Sequence, residues 1–139
     1  MKWLLDTVAI SQAAKPRPNT GVLNWLAERA EWEMSFSVVT LAELRFGISR
    51  MPAGRKQQLL ERWLEAELMP RFEGRILDVH TGIADLWGRV CGKLSAGGKN
   101  LPLLDSLIGA TALFHGLIVV TCDEEPFRAM DVPVENPWS

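Results

Sequence analysis

Apolar positions along this chain fall into two patterns. Short continuous runs alternate with longer stretches in which apolar residues recur three and four positions apart. The runs "KWLLD" (2–6), "MSFSVVT" (34–40), "RILDV" (75–79) and "LIVVT" (117–121) read as buried strands, and "VPV" (132–134) as a last edge strand. Helical spacing is found around 19–31, where Val22, Leu23, Leu26, Ala27 and Ala30 share a side. It recurs over 41–51, ending before Pro52, and over 55–69, where Leu59, Leu60, Trp63, Leu64 and Leu68 form one apolar side. Further helices are expected over 82–94 and 103–114, with a short helical turn over 125–130. Strands that alternate with helices predict an α/β sandwich with a mainly parallel sheet. In such folds function gathers beyond the carboxyl ends of the strands.

The segment "LPLLDSLIGATALFHGLIVVTC" (101–122) carries one formal charge, Asp105. It is long enough to test as a membrane span. Pro102 suits a helix start, Gly116 a helix stop and "LIVVT" a strand, so the run divides into two elements joined by "HG". No membrane association is expected. The N-terminus "MKWLLDTVAIS" is interrupted too early by Asp6 to serve as a signal peptide. Cys91 and Cys122 are far apart, without a CxxC motif, and read as buried thiols of a reducing, cytoplasmic setting. His80 and His115 have no zinc spacing. The 139 residues suit a single domain, 1–139, and the net charge of -2 gives no global signal for nucleic acid. Charge is uneven, however. Arg45, Arg50, Arg55 and Lys56 lie between Glu43 and Glu61 without an intervening acid, as do Arg89, Lys93 and Lys99 between Asp85 and Asp105. Each group reads either as a solvated helix face or as a basic rim around an acidic site.

Four acids stand at informative places. Asp6 closes the first strand and can serve there as a turn or N-cap residue. Glu43 belongs to Thr40-x-x-Glu43, the spacing of a capping box. Asp123 comes just after "LIVVT" and can cap the next turn, with Glu124 and Glu125 beside it. Asp105 opens a helix whose same-side neighbours are Ile108, Gly109 and Ala112, a setting more apolar than capping requires. On a parallel sheet all four can meet at one edge. Carboxylates gathered there without Lys or His repel one another unless a cation neutralises them. An all-oxygen donor set selects a hard divalent ion, Mg²⁺ or Mn²⁺.

The same positions, in order, resemble the motifs of the PIN-domain ribonucleases, most closely the VapC and FitB-type toxins of type II toxin–antitoxin pairs. "LLDT" (4–7), "TLAELRFGI" (40–48), "LPLLDSLIGATALFHG" (101–116) and "LIVVTCDEEPF" (117–127) resemble the four acidic motifs, and "VENPW" (134–138) resembles the family's ending. Two positions depart from the pattern. Val8 stands where Asn is usual, and Pro126 stands where many relatives have their later Asp. The fourth acid is therefore placed at Asp123, with Glu124 and Glu125 as the other candidates.

The resemblance implies a PIN-like three-layer α/β/α sandwich and a Mg²⁺- or Mn²⁺-dependent endoribonuclease that leaves a 5′-phosphate and a 3′-hydroxyl. It implies metal ligation by Asp6, Asp105 and Asp123, with Glu43 ligating directly or through water. Thr121, Thr7 and Arg45 are expected to support these carboxylates, and Arg50, Arg55, Lys56, Lys93 and Lys99 to guide RNA, of which tRNA and rRNA are the family's substrates. The implied partner is a VapB- or FitA-like antitoxin, through which alone the toxin would reach operator DNA. Trp25, Leu26, Phe46, Leu59, Leu60, Trp63 and Leu64 offer apolar surface for it, and a homodimer is expected. A catalytically weak PIN protein serving as partner subunit of a repressor complex is the alternative that Val8 keeps open. Phosphoryl transfer on an acidic strand end fits less well, because Asp6 lacks an acidic neighbour and no Lys follows Lys99.

Overall fold

The computed structural model describes residues 1–139. Its centre is a five-stranded sheet of β1 (Trp3–Leu5), β2 (Met34–Ser37), β3 (Ile76–Leu77), β4 (Ile118–Val120) and β5 (Val134–Glu135), in the order β3-β2-β1-β4-β5. All four pairings are parallel. In β1 and β4 Leu4 is paired with Val119 and Leu5 with Val120. Successive side chains of these strands point to opposite faces, and each face has its own core. Trp3, Leu5 and Val120 pack with Ala9, Ile10, Trp25, Leu44 and Leu64 on one side, whereas Leu4 and Val119 pack with Ile83, Ile108, Ala112 and Phe127 on the other. This double burial explains why the strands read as unbroken apolar runs.

The first face is covered by α1 (Thr7–Gln12), α2 (Thr20–Ala27), α3 (Val38–Ser49), α4 (Arg55–Arg62) and α5 (Met69–Arg71). A π-helical turn, Trp63–Leu68, joins α4 to α5. The second face is covered by α6 (Thr81–Ala96), α7 (Leu103–His115) and α8 (Glu125–Ala129). Gly116 ends α7 with φ 67°, a left-handed value that favours glycine, so the apolar run divides at "HG" as its sequence predicts. No helix is long and apolar enough to cross a membrane.

Several boundaries move. The strand expected over 34–40 stops at Ser37, whose hydroxyl caps α3 by accepting from the Val39 amide at 3.0 Å. Val38 to Thr40 are therefore helical despite their β-branched side chains, because the cap and burial outweigh weak propensity. The expected helix over 19–31 ends at Ala27, and a 3₁₀ turn, Glu31–Glu33, leads into β2. The single helix expected over 55–69 is divided by the π turn, which keeps Leu64 and Leu68 buried together. The strand expected over 75–79 shortens to two residues, and that over 132–134 shifts to Val134–Glu135. Cys91 is half-buried, but Cys122 is exposed rather than buried as expected: Thr121 takes the inward position, and the next residue faces out.

Candidate active site

The strand order reverses beside β1: β2 lies on one side and β4 on the other. Ligand crevices form outside the carboxyl ends of strands at such switch points. Asp6 directly follows β1, and its carboxylate occupies that place, 3% exposed. One oxygen, Oδ1, accepts from the Thr7 amide at 2.8 Å, so Asp6 also caps α1. The other, Oδ2, accepts from the Thr121 hydroxyl at 2.8 Å across the junction with β4. The same hydroxyl oxygen accepts from the Asp123 amide at 3.0 Å, which fixes the backbone at the fourth acid. Thr121 thus links the Asp6 carboxylate to the Asp123 backbone.

Glu43 comes from the second turn of α3. Its Oε1 accepts from the Thr7 hydroxyl at 2.7 Å, and that hydroxyl lies 3.1 Å from the Thr40 hydroxyl. Thr40 is not the helix cap that its spacing suggested, since Ser37 holds that position. Thr40 and Glu43 lie three apart on a helix and are both directed at Thr7. Sequence reasoning assigned Thr40 no place in the site; its helical spacing from Glu43 was the available signal.

Asp105 stands in the first turn of α7 and is half-buried; Asp123 is exposed just beyond β4. Burial raises the Asp6 pKa from 3.8 to about 6, against the two hydrogen bonds it accepts, and the charges of Asp105 and Glu43 push it further up. The Asp105 pKa is also raised, first by burial and then by the charges of Asp123 and Glu43. These repulsions place all four acids in one field. None of them belongs to an ion pair; the chain's Lys and Arg pairs go to other acids. Glu124 binds Asn136 at 2.8 Å and pairs with Arg128, and Glu125 binds Lys99 at 2.9 Å, so both neighbours of Asp123 are engaged elsewhere.

The donor set is all carboxylate and carries uncompensated negative charge, which fits a hard divalent cation. No three acids, imidazoles or thiols meet in a preformed metal cage. The fit is therefore one of donor chemistry and charge.

The basic residues are dispersed. Arg45, expected to steady the carboxylates, turns away from them and pairs with Glu65 at 2.8 Å. Its position beside the inward-facing Leu44 points it off the site. Arg50 lies over the Phe46 ring, 5.6 Å from its centroid. Arg55 and Lys56 open α4, Lys93 lies in α6, and Lys99 in the following loop pairs with Glu125. Among the expected docking residues, Trp25 and Leu64 are core and present no surface, because they fill the space between the sheet and its covering helices. Phe46 and Leu59 are exposed. Leu59, Leu60 and Trp63 line a groove of about 480 Å³ with Leu44, Ile48 and Met51, and Glu43 stands at it too.

Residues 3–133 match the PIN domain. The chain belongs to the PIN-domain family. Toxin FitB of Neisseria gonorrhoeae is 38% identical to it over 135 residues, 97% of each chain. A protein named VapC ribonuclease Y4jK, of Sinorhizobium fredii, is 35% identical over 97% of this chain and 96% of its own. Among solved structures, FitAcB from Neisseria gonorrhoeae superposes with a TM-score of 0.92 at 38% identity, covering 98% of both chains. FitAB bound to an IR36 DNA fragment also gives 0.92, at 35% identity, covering 99% of this chain and 96% of that one. This PIN domain is accordingly of the VapC/FitB kind.

Proposed function

We propose that this PIN domain is a divalent-metal-dependent endoribonuclease toxin that cuts RNA, with tRNA and rRNA as the substrate classes. The observation that supports the reading is that the charges of Asp6, Glu43, Asp105 and Asp123 act on one another while no Lys or Arg pairs with any of them. Asp6, Asp105 and Asp123 would hold Mg²⁺ or Mn²⁺. When bound, the ion supplies Lewis-acid polarisation of water and of the scissile phosphate near neutral pH. Thr121 keeps Asp6 ionised and aimed by donating to it. Glu43, held at one oxygen, has the other free to orient the attacking water and take its proton. Arg50, Arg55, Lys56, Lys93 and Lys99 are assigned to drawing the RNA phosphates past the acidic pocket.

The groove beside Glu43 fits the apolar side of a VapB- or FitA-like antitoxin helix, seated on Leu44, Ile48, Leu59, Leu60 and Trp63. Structures of FitAB bound to DNA and of DNA-bound VapBC from Salmonella typhimurium show such toxins in complexes that include DNA. Here the toxin would meet operator DNA only through its antitoxin, as a homodimer.

The test is cleavage of RNA by purified, antitoxin-free protein. Mg²⁺ or Mn²⁺ should support cutting and a chelator should stop it. Asp105→Asn should lower the rate by about 100-fold or more. Absence of cutting of any RNA, with operator binding intact beside a partner, would replace this reading with the repressor-subunit role.

A further inference from the structure

Thr7 makes two contacts that tie two of the acids together. Its amide donates to Asp6 Oδ1 at 2.8 Å, and its hydroxyl donates to Glu43 Oε1 at 2.7 Å. We propose that Thr7 is a positioning residue that locks the second acid to the first and sets Glu43 with one carboxylate oxygen committed and one oxygen free. The inference rests on the nuclease reading for its consequence, and on hydrogen bonds alone for its geometry.

The arrangement follows from hydroxyl chemistry. A threonine hydroxyl has one proton to give and two lone pairs. Given to Glu43, that proton makes a charge-assisted bond, the stronger kind. The Thr40 oxygen, 3.1 Å away, is a second and more distant acceptor for the same Thr7 hydroxyl. Thr40 is fully buried, so its hydroxyl needs a partner. The result is a fork: Thr7, in the first turn of α1, faces two acceptors on α3, Glu43 at 2.7 Å and Thr40 at 3.1 Å. It accounts for the spacing Thr40-x-x-Glu43, which a helix cap does not: three apart on a helix, the two side chains flank one visitor.

The same contacts bear on Val8, which carries no hydrogen-bonding side chain. In this protein the segment after β1 is tied to α3 through the residue before it. A glutamate free to rotate samples several rotamers and offers either oxygen. One held at Oε1 loses that freedom before metal or substrate arrives, which is the usual service of a hydrogen-bonded neighbour to a ligating or proton-accepting carboxylate.

The experiment compares Thr7→Val, Thr7→Ser, Thr40→Val and the Thr7→Val/Thr40→Val double variant. Each is confirmed folded by circular dichroism, then titrated with Mn²⁺ calorimetrically and assayed for RNA cleavage. Thr7→Val should weaken Mn²⁺ binding and lower kcat by about tenfold or more, leaving KM for RNA unchanged. Thr7→Ser keeps the hydroxyl and should stay within about twofold of the parent in both, a rescue that methyl packing would not give. Thr40→Val should have a smaller effect, and the double variant should be no worse than Thr7→Val alone, because both contacts are made by the Thr7 hydroxyl. Parent-like Mn²⁺ affinity and kcat in Thr7→Val, or equal impairment in Thr7→Ser, overturns the proposal. If the parent cuts no RNA but Mn²⁺ affinity follows this order, the nuclease reading fails and the role of Thr7 stands. If the parent binds no Mn²⁺, both fall.

Discussion

Asp6 illustrates how a residue can serve a site at the expense of the fold. Buried among apolar neighbours, with its pKa raised from 3.8 to about 6, it carries a charge at neutral pH that the interior opposes. Between these values the folded chain keeps a proton that the unfolded chain has released. The stability of the metal-free protein therefore falls as pH rises through that window, and the loss is complete above it. The size follows from the shift and is about 3 kcal/mol. Asp6→Asn keeps an acceptor for the Thr7 amide and removes the charge. In the presence of a chelator at pH 7.5 it should melt higher than the parent, and the difference should close near pH 4; thermal melts across pH check this. Equal melting at both pH values would show that the site exerts no such strain. RNA cleavage by the same variant should be lost. Asp105 stood out in the sequence because a lone carboxylate in an apolar run has few structural uses. Asp6, Glu43 and Asp123 stood out only jointly, each having a credible capping role. For Asp6 that role is real and coexists with the site.

At the scale of elements, the junction between β2 and α3 controls where Glu43 points. Ser37 ends the strand and caps the helix, and a shift of one residue would turn Glu43 by about 100° around α3. Ser37→Ala should cost about 1 kcal/mol of stability, read from a denaturant melt. Because it loosens the start of α3, cleavage should fall as well. A stability loss with unchanged activity would show that the cap does not set the register of the acid. This junction was misread in sequence for a physical reason. "SVVT" is equally good as the end of a strand or the first turn of a buried helix, and S/T-x-x-E looks the same whether its hydroxyl caps the helix or faces inward one turn later. The π turn at Trp63–Leu68 left no signal, because Leu64 and Leu68 satisfy an α spacing just as well. Arg45 was misplaced since nearness in sequence to Glu43 says nothing of helical phase: two residues along, a side chain points to another side.

For the molecule as a whole, the parallel sheet and its reversal of order beside β1 bring the acids within range of one another's charges. Alternating runs and helices made that architecture readable, since strands buried on both faces must be apolar throughout. Sheet order was not readable, because it depends on which helices cross which face; the meeting of Asp6 with Thr121 across β1 and β4 became visible only in the structure. The result is a set of carboxylates that repel one another and pair with no protein cation. On the proposed reading a divalent ion balances them, and binding should stabilise the fold as mass action requires, by about 2.7 kcal/mol at a hundredfold excess over Kd, and so raise the melting temperature. The central claim is that these four acids form one metal site. It is tested most directly by the anomalous diffraction of Mn²⁺ in crystals of the protein. The account predicts a peak bounded by Asp6, Asp105 and Asp123, near Glu43, that disappears in Asp105→Asn. An unoccupied pocket at saturating Mn²⁺, or a peak unaffected by that substitution, would contradict it.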